Sequence, residues 1–385
     1  MDTTQLIQPA FWENDSTGMV MENTIIGQQV DELKQWVSGQ RELDNHLLFA
    51  SSGSTGEQKW IALSKRALLQ SAQAVNSHLS VDKNDRWMLS LPIFHVGGFG
   101  ILARAYAAGI GVSTYQEKWD AAAFAHQLDR DGCTLTSMVP TQLADLVQLN
   151  CPAPASLRGV VIGGGHLDHT VYQQAVKLGW PALRSYGMSE AASQIATELP
   201  EHIGQTEPWM RPLAHWQLRN GEMGLLQIKG QALFSGYVRS VGENFEFHPV
   251  DKDDWFSSND VVSISERGIK FDYRLDNLVK VLGELVNVTS CEAHLRELAA
   301  ADSLIADRIA VVAIAHQRRG HQLVAVIEGE LEYSQLEILL AKYHQQANSL
   351  EALADVVQLA EFPRSPLGKI RYQALAKLVS ESLAR

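Results

Sequence analysis

The chain has 385 residues, 45% of them hydrophobic and 20% charged, with a formal charge of −12 at pH 7. That composition is globular, and the length suits one large domain plus a small one. An acidic balance without a long basic run excludes a general nucleic-acid binder, although a local lysine or helix N-terminus still suits a phosphate group.

In chain order, the opening residues lack a basic segment followed by an apolar core, so no signal peptide is expected. No apolar run reaches the roughly 20 residues of a membrane span, so no membrane insertion is expected. "HLLFA" (His46 to Ala50) reads as a strand and "LSKRALLQSAQAVNSHL" as a helix, by apolar spacing at Leu63, Ala67, Leu68, Val75 and Leu79. "RWMLSLPIF" (Arg86 to Phe94) reads as a strand and "GILARAYAAGI" as a buried helix. "TLTSMV" is a strand, and Pro140 opens the helix "TQLADLVQL", since proline is tolerated in a first turn. "LRGVVIGGG" is a strand ending in glycines, "VYQQAVKLG" a helix, and "ALRSYGMSE" a strand running into a turn. This alternation predicts an α/β fold with largely parallel strands. After about residue 205, "GEMGLLQIKG", "ALFSGYV" and "GIKFDY" read as strands of an antiparallel subdomain. The last part holds a hairpin turning at Arg319–Gly320 and the helices "EYSQLEILLAKYHQ" and "IRYQALAKLVSESLAR". The expected division is 1–274 and 275–385, with charge clustering near Asp272 to Asn277. Cys133, Cys151 and Cys291 are widely spaced, without a CxxC, so a reducing, cytoplasmic setting is expected.

"SSGSTGEQK" (Ser51 to Lys59) combines hydroxyls, glycines and one positive charge, which suits phosphates. It has neither the spacing of a P-loop nor a GxGxxG turn, and a surface turn satisfies it equally well. Four further stretches follow: "YGMSE" (Tyr186 to Glu190), "WFSSND" (Trp255 to Asp260), "RLDNLVKVLGELV" (Arg274 to Val286) and "SPLGKIR" (Ser365 to Arg371). Each alone has a structural explanation. Glu190 could be a first-turn carboxylate, Asp260 a turn residue, Tyr186 core, and Arg274 with Asp276 a surface ion pair. The five in this order resemble the adenylate-forming superfamily of acyl-CoA synthetases, luciferases and adenylation domains, from about His46 to the end of the chain.

That resemblance implies a large N-terminal domain of mixed, largely parallel sheets with helices plus an antiparallel subdomain. It also implies a small mobile α+β C-terminal domain. Ser51, Ser52, Gly53, Ser54, Thr55, Gly56 and Lys59 would contact ATP phosphates, with Gln58 standing where the family usually has proline. Gly163, Gly164 and Gly165 would lie against adenine and Tyr186 would stack on it, with Gly187 and Met188 beside the nucleotide. Ser189 would contact the α-phosphate, Glu190 would coordinate Mg²⁺, and Asp260 and Arg274 would reach the ribose. Asp276 would be the hinge and Lys369 the catalytic lysine, stabilising charge at the α-phosphorus.

The stretch Leu91 to Gly109, with "IGGG" and "YGMSEAASQ", is similar to the 2-succinylbenzoate–CoA ligases of menaquinone and phylloquinone biosynthesis. This implies an AMP-forming acid–CoA ligase with a small carboxylic acid, ATP and CoA as partners, and it leaves a homodimer open. His95, Gly98, Arg104, Ser193 and Gln194 would line the acid pocket. Arg104 sits in an otherwise apolar run, where an unpaired guanidinium would be costly. It either pairs with protein carboxylates or meets the substrate's spare carboxylate. The N-terminal region before Ser51 is shorter than in most relatives, so part of the usual outer layer is expected to be missing. Another small-acid or aryl-acid ligase, and an inactive adenylate-binding protein, are the competing readings.

Overall fold

The computed structural model describes residues 3–21, 27–52, 58–242, 244–301, 308–365 and 368–383, and the side chains of these except 27–29, 51, 52, 58 and 301. The chain divides into two compact units, one of Met1–Ser258 with Val262–Phe271 and one of Asn259–Val261 with Asp272–Arg385.

The first unit is built on a seven-stranded sheet. Its strand order is Arg211–Pro212, Ala196–Thr197, Ala182–Tyr186, Gly159–Ile162, Leu135–Met138, Arg86–Leu89 and Gly111–Thr114. The strands from Ala182–Tyr186 to Gly111–Thr114 are parallel, and the two at the other edge are antiparallel. Leu135–Met138 and Gly159–Ile162 are buried at every residue, as expected where both faces of a parallel sheet are covered. The helices that cover it start on local signals. Asp120 and Asp168 accept hydrogen bonds from first-turn amides, and Pro140 occupies the first turn of Pro140–Gln148.

A second sheet runs Met19–Met21, His46–Ser52, Gln58–Ser64, Gly236–Val241, Asn244–Pro249. It is antiparallel apart from its first pair. The third, antiparallel between Trp216–Asn220 and Leu225–Gly230, continues through Phe256–Ser265 to Gly268–Arg274.

Several elements differ from the sequence expectation. "ALFSGYV" is expected in the antiparallel subdomain, but its strand starts only at Gly236. It joins the second sheet, between Gln58–Ser64 and Asn244–Pro249, because its ladder partners lie there. The strand predicted to reach Phe94 stops at Leu89. Beyond it, the Pro92 carbonyl accepts from the His95 amide and closes a turn. The following helix then starts earlier than Gly100, at Val96, with His95 as its N-cap residue, and ends at Ala108 on the left-handed Gly109 (φ 65°).

The second unit has a five-stranded sheet in which Ile309–His316 and Gly320–Glu328 form a hairpin and Leu353–Leu359 pairs parallel to the latter. Side chains alternate between two cores. Ile309, Val311, Leu323, Ala325 and Ile327 share one with Leu295 and Leu339 of the helices Val288–Ala301 and Tyr333–Gln346. Ala310, Val312, Val324 and Val326 share the other with Leu375 and Val379 of Tyr372–Leu383. Among the described residues no helix is long and apolar enough to cross a membrane.

Candidate active site

The carboxyl ends of the parallel strands carry most of the first unit's candidate residues, which is where open α/β sheets bind ligands. Gly163 to Gly165 follow the strand Gly159–Ile162, and Gly164 has φ 82°, a left-handed turn that suits glycine. Tyr186 ends its strand, is buried, and stacks on Phe271 with centroids 5.9 Å apart and planes at 28°.

From Gly187 the chain doubles back on itself. A Cβ on Gly187 would lie 1.8 Å from the Ser193 carbonyl oxygen, so only glycine lets the two backbones pass. The Ser193 amide donates to the Met188 carbonyl at 3.2 Å, and the Ile195 amide donates to the Tyr186 carbonyl at 2.9 Å. The closed loop presents Ser189 and Glu190 on a 3-10 turn and returns Ser193 and Gln194 beside the sheet. Ala192 and Ser193 both take positive φ, 49° and 101°, which marks local backbone strain at this corner.

Glu190 is the centre of a small charge cluster. Its Oε1 accepts from the Tyr237 hydroxyl at 3.0 Å and lies 3.9 Å from the Lys59 ammonium. The same ammonium sits 4.2 Å above the Tyr237 ring, a cation–π contact. Burial first, and then the Glu190 charge, push the Tyr237 phenol well above its ordinary range. Strand register makes the cluster: Arg239 pairs with Lys59 and Tyr237 with Ile61, so Tyr237 and Lys59 are diagonal neighbours. Ser51 and Ser52 lie on the partner strand opposite Lys59 and Gln58. Gly53, Ser54, Thr55 and Gly56 lie outside the described residues.

Arg104 occupies the buried helix Val96–Ala108 at 2% exposure. Its Nη1 donates to Ser137 Oγ at 3.2 Å and its Nη2 to Ser193 Oγ at 3.5 Å. Its guanidinium carbon lies 5.3 Å from the Trp87 ring centroid. Among the described residues no carboxylate pairs with it. Burial lowers its pKa to about 10, which leaves it charged at neutral pH. The site is rich in hydroxyls: Ser90 Oγ lies 3.2 Å from Thr136 Oγ1 and donates to the Ser137 carbonyl. Gln194 Nε2 donates to Ser185 Oγ at 3.0 Å, while its buried Oε1 has no partner among the described residues. Gly98 is required by packing, since a Cβ there would lie 2.3 Å from the Pro92 carbonyl oxygen. The His95 ring packs on Phe94 at 4.7 Å.

In the second unit Arg274 bridges two carboxylates, with Nη1 3.3 Å from Asp260 Oδ1 and Nη2 3.4 Å from Asp276 Oδ2. Asp260 is buried, and Asn259 donates to Asp276 at 3.2 Å. Lys369 is exposed, on a turn where the Ser365 amide donates to the Lys369 carbonyl at 2.7 Å.

The model of the family described as AMP-binding enzyme matches residues 14–238, more than half of the chain. The chain belongs to the AMP-binding enzyme family. Among curated relatives, it is similar to 2-succinylbenzoate–CoA ligases. That of Bacillus licheniformis is 28% identical over 66% of this chain and 54% of its own length. That of Staphylococcus aureus is 28% identical over 60% and 47%. The chain thus spans about half the length of these relatives. Among solved structures, a variant of E. coli MenE with bound OSB-AMS is 25% identical with a TM-score of 0.70, covering 87% of this chain and 69% of that one. The o-succinylbenzoate-CoA synthetase of Bacillus subtilis in complex with OSB-AMP shares the fold at 20% identity and a TM-score of 0.74, covering 97% and 81%.

Three residues of the candidate site escape sequence reasoning. Tyr237 stands in "FSGYV", which reads as an ordinary strand, and only its register brings it to Glu190. Ser137 and Trp87 stand in buried strands whose relation to Arg104 depends on helix packing. A buried arginine without a nearby acidic residue in sequence is the one local signal that polar partners must come from elsewhere.

Proposed function

We propose that the chain is an ATP-dependent, AMP-forming acid–thiol ligase. It takes 2-succinylbenzoate through an acyl-adenylate to its CoA thioester, in menaquinone or phylloquinone biosynthesis in the cytoplasm. The observation that carries this reading is Arg104, a buried guanidinium on two hydroxyls and an indole face, with no carboxylate partner among the described residues. A buried cation without a counter-charge carries a desolvation cost, which an arriving carboxylate offsets. A dicarboxylic aromatic acid supplies it: one carboxylate reacts and the other meets Arg104, directly or through water. A fatty acid leaves the guanidinium unpaired. The names of the relatives support the same acid.

In the first step an oxygen of the free carboxylate attacks the α-phosphorus of ATP, and the bond to the β-phosphate oxygen breaks, giving acyl-adenylate and pyrophosphate. Lys59, with the loop from Ser51 to Gly56, holds the outer phosphates. Ser189 meets the α-phosphate, Gly163 to Gly165 and Tyr186 hold adenine beside Gly187 and Met188, and Asp260 with Arg274 holds the ribose. Lys369 stabilises the charge that builds at the α-phosphorus. His95, Gly98, Ser193 and Gln194 shape the acid pocket. In the second step the CoA thiolate attacks the acyl carbon and AMP leaves. On this reading residues 1–274 bind ATP and acid, and residues 275–385 bring Lys369 and move about Asp276 between the steps.

Among the described residues no group of three His, Cys, Asp or Glu could cage a metal. Glu190, a hard oxygen donor with 16% of its side chain exposed, instead suits Mg²⁺ carried in on ATP, which needs one or two carboxylates plus phosphate oxygens. Bound there, Mg²⁺ would supply neutralisation of the departing pyrophosphate's charge.

The test is pyrophosphate release with MgATP and 2-succinylbenzoate, benzoate, octanoate or acetate, with and without CoA. Preference for 2-succinylbenzoate with CoA-dependent turnover is expected. Preference for another acid removes the named substrate but leaves the ligase, and ATP binding without release for any acid makes the chain a binder.

A further inference from the structure

Resting on the nucleotide reading above, we infer that Tyr237 is a positioning residue for the divalent cation, acting through Glu190. Glu190 stands on a single 3-10 turn and has three side-chain torsions, so on its own it would sample many orientations. The segment from Phe234 to Tyr237 holds it at two points. The Phe234 amide donates to the Glu190 carbonyl at 2.9 Å, and the Tyr237 hydroxyl donates to Oε1 at 3.0 Å. Tyr237 is itself fixed, by the ladder to Ile61, by the edge contact of Phe234 at 4.7 Å, and by the Lys59 ammonium on its ring.

The Tyr237 hydrogen bond and the Lys59 ammonium both fall on Oε1. Oε2 has no partner among the described residues, so the carboxylate is held by one oxygen and offers the other as a ligand. A phenol suits this task because it orients the carboxylate without adding a positive charge that would repel the cation. Lys59, at 3.9 Å from Oε1, lies beyond hydrogen-bond distance. A cation arriving at Glu190 therefore weakens a loose ion pair and leaves the orienting hydrogen bond intact. Metal sites commonly depend on such partners of a ligand, at about 10–100-fold in metal affinity.

The test is Tyr237→Phe, which keeps the ring and the cation–π contact and deletes only the donor. Binding of α,β-methylene-ATP is measured calorimetrically with Mn²⁺ and again in EDTA, alongside Mn²⁺ titration followed by electron paramagnetic resonance. The expected result is a loss of about tenfold in affinity for the Mn²⁺ complex, with metal-free affinity unchanged. In a Glu190→Gln background the same substitution should do nothing further, because the group being positioned is gone. Unchanged Mn²⁺ affinity, an equal loss with and without metal, or a full additional effect in the Glu190→Gln background each overturns the inference. Wild-type protein that binds no nucleotide in either condition overturns the nucleotide reading, and the inference with it.

Discussion

The guanidinium carbon of Arg104 lies 5.3 Å from the centre of the Trp87 ring, and its hydrogen bonds run to the neutral hydroxyls of Ser137 and Ser193. Stability and function therefore conflict at this position. A buried charge without a counter-ion carries a desolvation cost that an apolar side chain of similar length does not. Arg104→Met should unfold in urea at the same or a higher midpoint. On the proposed function its kcat/KM for 2-succinylbenzoate should fall by about 100-fold, because the anchoring charge is lost. A variant that is destabilised yet keeps its kcat/KM would make Arg104 structural.

Arg184 and Glu198 form the opposite case, a buried pair that is fully satisfied. Nη2 lies 2.6 Å from Oε1 and Nε 3.1 Å from Oε2, Tyr172 donates to both oxygens, and Arg184 also donates to the carbonyls of Gln205, Thr206 and Glu207. Glu198→Ala should cost about 3–5 kcal/mol, since it leaves a buried cation unpaired. The exposed pair of Lys34 and Asp31 serves as control, and Asp31→Ala should change stability by less than about 1 kcal/mol. Equal urea midpoints for Glu198→Ala and wild type would refute the assignment.

Gly187 and Gly109 predict different outcomes for the same substitution. A Cβ at position 187 meets the Ser193 carbonyl oxygen at 1.8 Å and the Gln194 Cα at 2.9 Å, both backbone atoms that cannot swing aside. Gly187→Ala should destabilise by about 3 kcal/mol or more and, on the proposed function, abolish adenylation. At Gly109 nothing lies within 4 Å and only the positive φ of 65° opposes a side chain. Gly109→Ala should lose only about 1–2 kcal/mol. Thermal melts of the two variants decide this, and a smaller loss at 187 than at 109 would contradict it.

His215 should give the protein an acid-sensitive stability profile. Both its ring nitrogens are buried without a hydrogen-bond partner among the described residues, and burial lowers its pKa to about 4. The unfolded chain takes up this proton near pH 6.5, so the unfolded state binds more protons between pH 6.5 and 4. Stability from this group is complete above about pH 6.5 and declines as pH falls through that window, with no further loss below about pH 4. The full shift corresponds to about 3 kcal/mol at roughly 1.4 kcal/mol per unit. His215→Leu should flatten the profile, and parallel urea-midpoint curves for variant and wild type across this range would exclude the effect.

Lys369 should separate the two half-reactions. On the proposed mechanism Lys369→Ala lowers acid-dependent pyrophosphate release by about 100–1000-fold. Thioester formation from preformed acyl-adenylate and CoA should persist near the wild-type rate. Equal loss in both assays would remove its assigned role.

Elements of this protein were legible in the sequence where the signal is local. Pro140 and the apolar run after it mark the helix Pro140–Gln148, and the hairpin expected near Arg319–Gly320 is present, although it turns at 317–319 and Gly320 already pairs with His316. Where local signals conflicted, tertiary structure decided. "RWMLSLPIF" is apolar enough for a longer strand, but Pro92 cannot donate to a ladder and the chain turns there. The sequence by itself also determined that a charged Arg104 must be buried in an apolar helix. It did not say what the charge meets, because Trp87, Ser137 and Ser193 reach it through sheet order and loop closure across as many as 89 residues of chain. Tyr237 is the sharper instance. One residue of slippage against Lys59 would turn its ring to the other face of the sheet, and register is set by the whole pattern of strand burial, not by any residue near it.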